Sequence, residues 1–215
     1  LEPYSLTDEE AEALTTLIAN AKADALVARL STESSAGDDV VLVTLDQVVR
    51  CQGAIREKPT NPIEAQKFLN SYAAGHPLEC VNGMVVHHLR SGARRSRTVV
   101  ARVTCKSSFA TAIEPLIAEA KLYTSAGAFQ IDNPLVAPHV AAVEGSREAV
   151  IGLPVEELRT LLQEVLADAR TLEGAPLEVT LTLAPTSPST VGVSVAFDGG
   201  DPPPSSPPPL LPAGC

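Results

Sequence analysis

Asp46 closes the apolar run Leu42-Val43-Thr44-Leu45, and Lys58 follows twelve residues later with Pro59 behind it. A carboxylate at the carboxyl end of an interior strand faces the crevice in which open α/β sheets bind ligands. A lysine on the loop that follows is placed to meet the anionic part of such a ligand, and Pro59 restricts its backbone to extended geometry. Acid and base at this spacing predict metal-assisted chemistry on a phosphate. Competing constellations are weaker. His87 and His88 are neighbours on a predicted strand, so they point to opposite faces and cannot chelate one metal. His76 and His139 match no metal spacing, and the chain contains neither a Walker-type G-x-x-x-x-G-K-S/T nor a G-x-S-x-G elbow.

The elements that must position these residues can be read from periodicity. Thr7 followed by Glu10 is a capping box, and Leu14, Leu17, Ile18, Ala21 and Ala25 recur at helical spacing, predicting a helix over about 8–30. A polar loop is expected at 31–39. Val40 to Leu45 reads as a strand covered on both faces, with a return strand over Val48 to Ile55 through the Gly53 turn. Asn61 and Pro62 start a second helix, which Gly75 can end. Two strands near 79–89 and 97–105 are joined at Ser91-Gly92, a shorter helix runs near 111–121, and Pro154 opens the last long helix. This order predicts a mixed α/β (α+β) fold over 1–171. A β-hairpin extension is expected over 172–197, where apolar and small residues alternate. The Pro- and Gly-dominated stretch 198–215 is expected to be an extended, mobile tail.

With 26 acidic and 16 basic residues the net charge is −10. That balance argues against nonspecific duplex-DNA or anionic-membrane binding, both of which need a basic surface. With aromatics at 3% and no Trp, the composition argues against stacking platforms for single-stranded nucleic acid as well. No uninterrupted apolar stretch is long enough to span a bilayer, and no secretory leader is evident. Cysteines 51, 80, 105 and 215 show no CxxC spacing, so incidental thiols in a reducing compartment are expected. The expected location is the cytoplasm.

Four pieces of the chain, in order, resemble the Maf family of nucleoside triphosphate pyrophosphatases, its plant and algal members above all. They are Ala21-Lys22-Ala23; Leu45-Asp46-Gln47-Val48-Val49 with Gly53, Ile55, Lys58 and Pro59; Ser125-Ala126-Gly127-Ala128-Phe129; and Val143-Glu144-Gly145-Ser146 leading into Ile151-Gly152-Leu153-Pro154. The resemblance implies an elongated mixed sheet flanked by helices, with a cleft between two lobes. It implies hydrolysis between the α- and β-phosphates of a nucleotide, giving a monophosphate and pyrophosphate, with a divalent cation, Mg²⁺ or Mn²⁺, as cofactor. By the same resemblance Asp46 is the catalytic carboxylate or metal ligand, and Lys58 and Lys22 face the phosphates. Asp132 falls where the family reads the base with Gln or Glu. Gln47 stands where thymidine- and uridine-preferring members carry Thr. Both differences weigh against a strict dTTP/UTP preference, and Asp132 keeps the acidic character of the Glu-bearing subgroup, whose bacterial members act on 7-methyl-GTP. A nucleoside triphosphate is thus the expected partner, and a homodimer is compatible with the reading.

The 215 residues contain no Ser-x-Ser-Pro-Arg-Arg loop, the segment with which the family grips the triphosphate; the adjacent Arg94 and Arg95 lie instead in an expected hairpin. Three charge-assisted hydrogen bonds lost at about 1.5–3 kcal/mol each would rival the roughly 8 kcal/mol of a micromolar ligand. Leu1 rather than Met at the start favours an N-terminally incomplete piece of an active enzyme. The alternative is a noncatalytic relative that uses its acidic surface or proline-rich tail to bind a partner.

Overall fold

A computed structural model of the chain describes residues 7–33, 40–173, 179–184 and 192–197. The expected tail at 198–215 and most of the expected loop at 31–39 lie outside the described residues. Helix α1 (Asp8–Glu33) starts at the predicted box: the Glu10 amide donates to Thr7 Oγ1 at 3.2 Å, and the Thr7 amide to Glu10 Oε2 at 2.8 Å. Its inward face differs from the expected one. Ala11, Thr15, Ala19 and Ala23, spaced by four, are each fully buried, whereas Leu17 is 67% exposed. Small residues win this face because a glycine in the sheet beneath brings the helix backbone close, as described below.

Strand β1 (Val41–Cys51) is continuous where two strands were expected. The chain reverses later, at Gln52 and Gly53, whose φ values of +54° and +75° form the two-residue turn that suits a hairpin. The short β2 (Ala54–Arg56) follows. Helix α2 (Pro62–Ala73) is capped by Asn61, whose Oδ1 accepts from the Glu64 amide at 3.0 Å. Strands β3 (Leu78–His88) and β4 (Arg94–Cys105) form the long central hairpin. The helix expected near 111–121 is reduced to α3 (Ile113–Ile117) between 3₁₀ turns. Strand β5 (Val140–Glu144), the short α4 (Arg147–Ile151) and the long α5 (Val155–Glu173) complete this unit.

The sheet order is β2-β1-β3-β4-β5, antiparallel at every described pairing. The fold class is the mixed α/β expected. Because residues alternate across a strand, the sheet has two distinct faces. One carries α1: Thr44, Asp46, Val48 and Arg50 of β1 all reach that helix or its small clusters. The other carries the main core, in which Val49, Cys51, Cys80 and Val103 pack against Leu69, Tyr72, Phe109 and Leu116. Outside this unit, residues beyond 173 form a separate one, in which β6 (Val179–Ala184) and β7 (Gly192–Phe197) pair antiparallel.

Candidate active site

Asp46 does not stand at a strand end. It is the middle residue of β1 and pairs with Gly83, while the next rung pairs Gln47 with Asn82. What opens Asp46 to a ligand is the sheet edge. The pairing of β1 with β2 covers only Val49–Cys51, so among the described residues no strand pairs with Val41–Val48 on the edge away from β3.

Gly83 governs the α1 face of this rung. A Cβ added there would lie 2.4 Å from the Thr15 carbonyl carbon and 2.5 Å from the Thr16 nitrogen. Only a glycine lets the helix backbone sit this low. The low seat carries Lys22 over the strand, where its Nζ donates to Asp46 Oδ1 at 2.7 Å and to the Leu45 carbonyl at 3.0 Å. The Asp46 side chain is 17% exposed and that of Lys22 49%. The second carboxylate oxygen of Asp46 has no hydrogen-bond partner among the described residues. The pair is held but not sealed.

Gln47 points to the opposite face. Its Nε2 donates to Asn82 Oδ1 at 3.0 Å and lies 3.1 and 3.3 Å from the carbonyls of Ala149 and Val150 at the end of α4. Asn82, fully buried, donates from Nδ2 to the Ala149 carbonyl at 2.9 Å and to Val99 at 3.2 Å. Carbonyl oxygens only accept, so the amide nitrogen of Gln47 must face them and its Oε1 is left as an acceptor. Asp132 is an exposed turn residue near the same helix, since the neighbouring Ile131 carbonyl accepts from Arg147 at 3.1 Å at the start of α4.

Lys58 lies on an exposed bend with no hydrogen bond or ion pair among the described residues. The segment around it is pinned on both sides. Arg56, 7% exposed, donates to the Phe68 carbonyl at 3.0 Å and to Ser71 Oγ at 3.1 Å, with its guanidinium 5.2 and 5.1 Å from the Phe68 and Tyr72 ring centres. The Glu57 carbonyl accepts from the Gly127 amide at 3.0 Å, Pro59 is buried, and the Thr60 amide donates to Glu64 Oε2 at 2.7 Å. Tyr72 in turn donates from its hydroxyl to the Gly127 carbonyl at 2.9 Å, and burial pushes its phenol well above the ordinary range. Lys58 follows the end of β2 by two residues, past the last rung that β1 and β2 share, Val49 with Arg56.

The structure therefore joins Lys22 to Asp46 directly, gathers Gln47 and Asp132 around α4 on the other face, and leaves Lys58 on a fixed bend with no direct link to Asp46. Sequence reasoning missed Gly83, Asn82, Thr44 and Arg56. A glycine and an asparagine inside a β-branched run were signals of a close backbone approach and a buried network. Among the described residues no group of three or more His, Cys, Asp or Glu is placed to hold a metal ion. Nor is any described helix long and apolar enough to cross a membrane.

A family model described as Maf-like protein matches residues 2–165. The chain belongs to the Maf family. It is 29% identical over 166 residues to a 7-methyl-GTP pyrophosphatase of Dictyostelium discoideum, covering 77% of this chain and 83% of that one. It is 31% identical over 141 residues to a dTTP/UTP pyrophosphatase of Hyphomonas neptunium, covering 64% and 72% respectively. A dTTP/UTP pyrophosphatase of Chlorobium chlorochromatii is 25% identical over 163 residues, 76% of this chain and 74% of the relative.

Proposed function

We propose that this chain is a nucleoside triphosphate pyrophosphatase that hydrolyses the bond between the α- and β-phosphates with the help of a divalent cation. The observation that carries the proposal is the Lys22–Asp46 pair at the open edge of β1, with one carboxylate oxygen unpartnered among the described residues. Family membership and the activities named for its relatives support it. One carboxylate is too few for an independent metal cage, but it suits Mg²⁺ or Mn²⁺, which is commonly held by one or two carboxylates together with substrate phosphates. When bound, the cation neutralises phosphoryl charge and acidifies a coordinated water.

The chain's own residues supply the rest. Asp46 would hold that cation or take the proton of the attacking water. Lys22, half exposed on a flexible stem, is the counter-ion of Asp46 and would supply an ammonium to the phosphates. Lys58, on its pinned bend, adds a second ammonium to the phosphate chain at the same edge. Gln47 Oε1 and the Asp132 carboxylate offer acceptors only. Two acceptors suit a guanine-type edge with adjacent N–H donors better than a thymine or uracil edge, so 7-methyl-GTP or a related purine nucleotide is the favoured substrate. The three described cysteines are free and buried, consistent with work in the reducing cytoplasm.

The test is pyrophosphate release from 7-methyl-GTP, GTP, dTTP and UTP with Mg²⁺ or Mn²⁺. Release is expected from the purine substrates and should fall about 10³-fold in Asp46→Asn. Nucleotide binding without pyrophosphate release, or full activity in Asp46→Asn, overturns the proposal.

A further inference from the structure

The two elements that carry Asp46 and Lys22 also meet through a bond that neither residue makes. Thr44 lies two residues before Asp46 on the same face of β1 and is 5% exposed; its Oγ1 donates to the Ala19 carbonyl at 2.7 Å. Ala19 is one helical turn before Lys22. The contact therefore ties a point on the strand beside the acid to a point on the helix beside the base.

Most of what lies between α1 and the strands is poorly directional. Ala11, Ala19 and Ala23 are small and apolar, and Gly83 offers bare backbone. Such a stripe fixes the height of the helix above the sheet, but dispersion contacts give little resistance to sliding along it. The Arg50–Asp8 ion pair ties α1 to β1 only at the first turn of the helix, remote from Lys22, while the Thr16–Thr98 hydroxyl pair at 3.0 Å and the bonds from Arg94 to the Asn20 carbonyl at 2.9 Å and to Asp24 anchor α1 to β4, on the far side of β3 from Asp46. A slip by one residue's rise, about 1.5 Å, would be enough to take an ammonium out of hydrogen-bond range of its carboxylate.

We propose that Thr44 is a positioning residue for the reaction: its buried hydroxyl sets the axial register at which Lys22 reaches both Asp46 and the Leu45 carbonyl. This inference rests on the pyrophosphatase reading of the same site. Thr44 touches no phosphate and moves no proton. It acts by holding α1, and hence the starting point from which the lysine serves acid and phosphate.

Thr44→Val keeps the shape and removes the donor, Thr44→Ser keeps the donor and removes the methyl, and Thr44→Ala removes both, providing a second knock-out should the valine fail to fold. In the full chain, Thr44→Val and Thr44→Ala are expected to lower kcat about tenfold with KM little changed, and Thr44→Ser to restore most of it. The Ala19 carbonyl keeps its helical partner, so Tm in Thr44→Val should fall by no more than about 4 °C. A crystal structure of Thr44→Val should show Lys22 Nζ and Asp46 Oδ1 more than about 3.5 Å apart. A separation still at the native 2.7 Å with unchanged kcat overturns the inference. So does a kcat loss that Thr44→Ser fails to restore. If the unsubstituted chain releases no pyrophosphate, the functional reading fails while the crystallographic arm still decides the role of Thr44.

Discussion

Two adjacent rungs of one sheet are built on opposite principles. Asp46 and Gly83 face α1, where the carboxylate is paired with a half-exposed lysine and keeps one oxygen unpartnered among the described residues. Gln47 and Asn82 face α4, where two neutral amides bond to each other and to main-chain carbonyls, and Asn82 has no exposure at all. A partly solvated ion pair exchanges partners at small cost, because water and salt screen it. A buried amide network is specified to a single arrangement, because any member left unpaired carries its full desolvation penalty. The first face can exchange its partners, while the second holds a single arrangement.

Substitutions at the four residues of these rungs, or at their neighbours, would break or sharpen the contrast. The largest effect is expected at Gly83. In Gly83→Ala the new methyl would sit 2.4 Å from the Thr15 backbone, and a helix backbone cannot yield as a side-chain end can. We expect a loss of about 3 kcal/mol, as for other overpacked sites, together with a large fall in pyrophosphate release, because α1 must lift and carry Lys22 away from Asp46. Equilibrium urea unfolding measures the first and the pyrophosphate assay the second; native values of both would show that α1 does not depend on this approach. Next comes Asn82→Leu, which fits the apolar surroundings but strips the Ala149 and Val99 carbonyls of a donor. We expect about 2 kcal/mol in urea unfolding, with kcat per folded molecule retained. A stability loss as great as at Gly83 with loss of activity would mean that the amide face, too, takes part in the chemistry.

How far the residues disclosed this division varied from element to element. The Thr7–Glu10 box, the Asn61 cap and the central hairpin were legible, because caps, turns and β-branched runs act over a few residues and leave local signatures. The continuity of β1 was not legible. Asp46-Gln47 interrupts an apolar run and looks like a turn, but each of the two residues has its partner on an element distant in sequence: Lys22 on α1 for one, Ala149 on α4 for the other. The buried face of α1 was misread for the same reason. Periodicity selects the bulkiest apolar stripe, while the selection of Ala11, Thr15, Ala19 and Ala23 was made by Gly83, on a strand far along the chain. Asp46 and Lys22 could be named from the family resemblance, but their contact with each other appears only once helix and strand are set together.

Lys22→Met separates stability from chemistry on the charged face. Because the lysine side chain is 49% exposed, its ion pair should contribute less than about 1 kcal/mol to unfolding free energy. Pyrophosphate release, by contrast, should fall about 10²-fold, with Asp46 left beside the phosphates without its counter-ion. A stability loss as large as that in Asn82→Leu would make the pair a structural tie and remove the contrast between the faces.

The smallest effect is a pH dependence that only the charged face should show. His87, on the α1 side of β3, is held below the ordinary value of 6.5 first by burial, then by the nearby Arg94 guanidinium and His88, with Asp24 opposing them in part. Its Nδ1 has no hydrogen-bond partner among the described residues. A histidine depressed in the native state binds its proton more readily once the chain unfolds. Its contribution to stability is therefore complete above pH 6.5, declines as the pH falls below that value, and is lost once the pH has passed through the native pKa. His87→Gln should flatten that part of the stability profile while leaving the plateau above it nearly unchanged. The amide pair on the other face has nothing to titrate, so in Asn82→Leu the decline should persist at native slope on a lower baseline. If His87→Gln leaves the decline intact, the slope belongs to another group and the charged face is less responsive to protons than its composition implies.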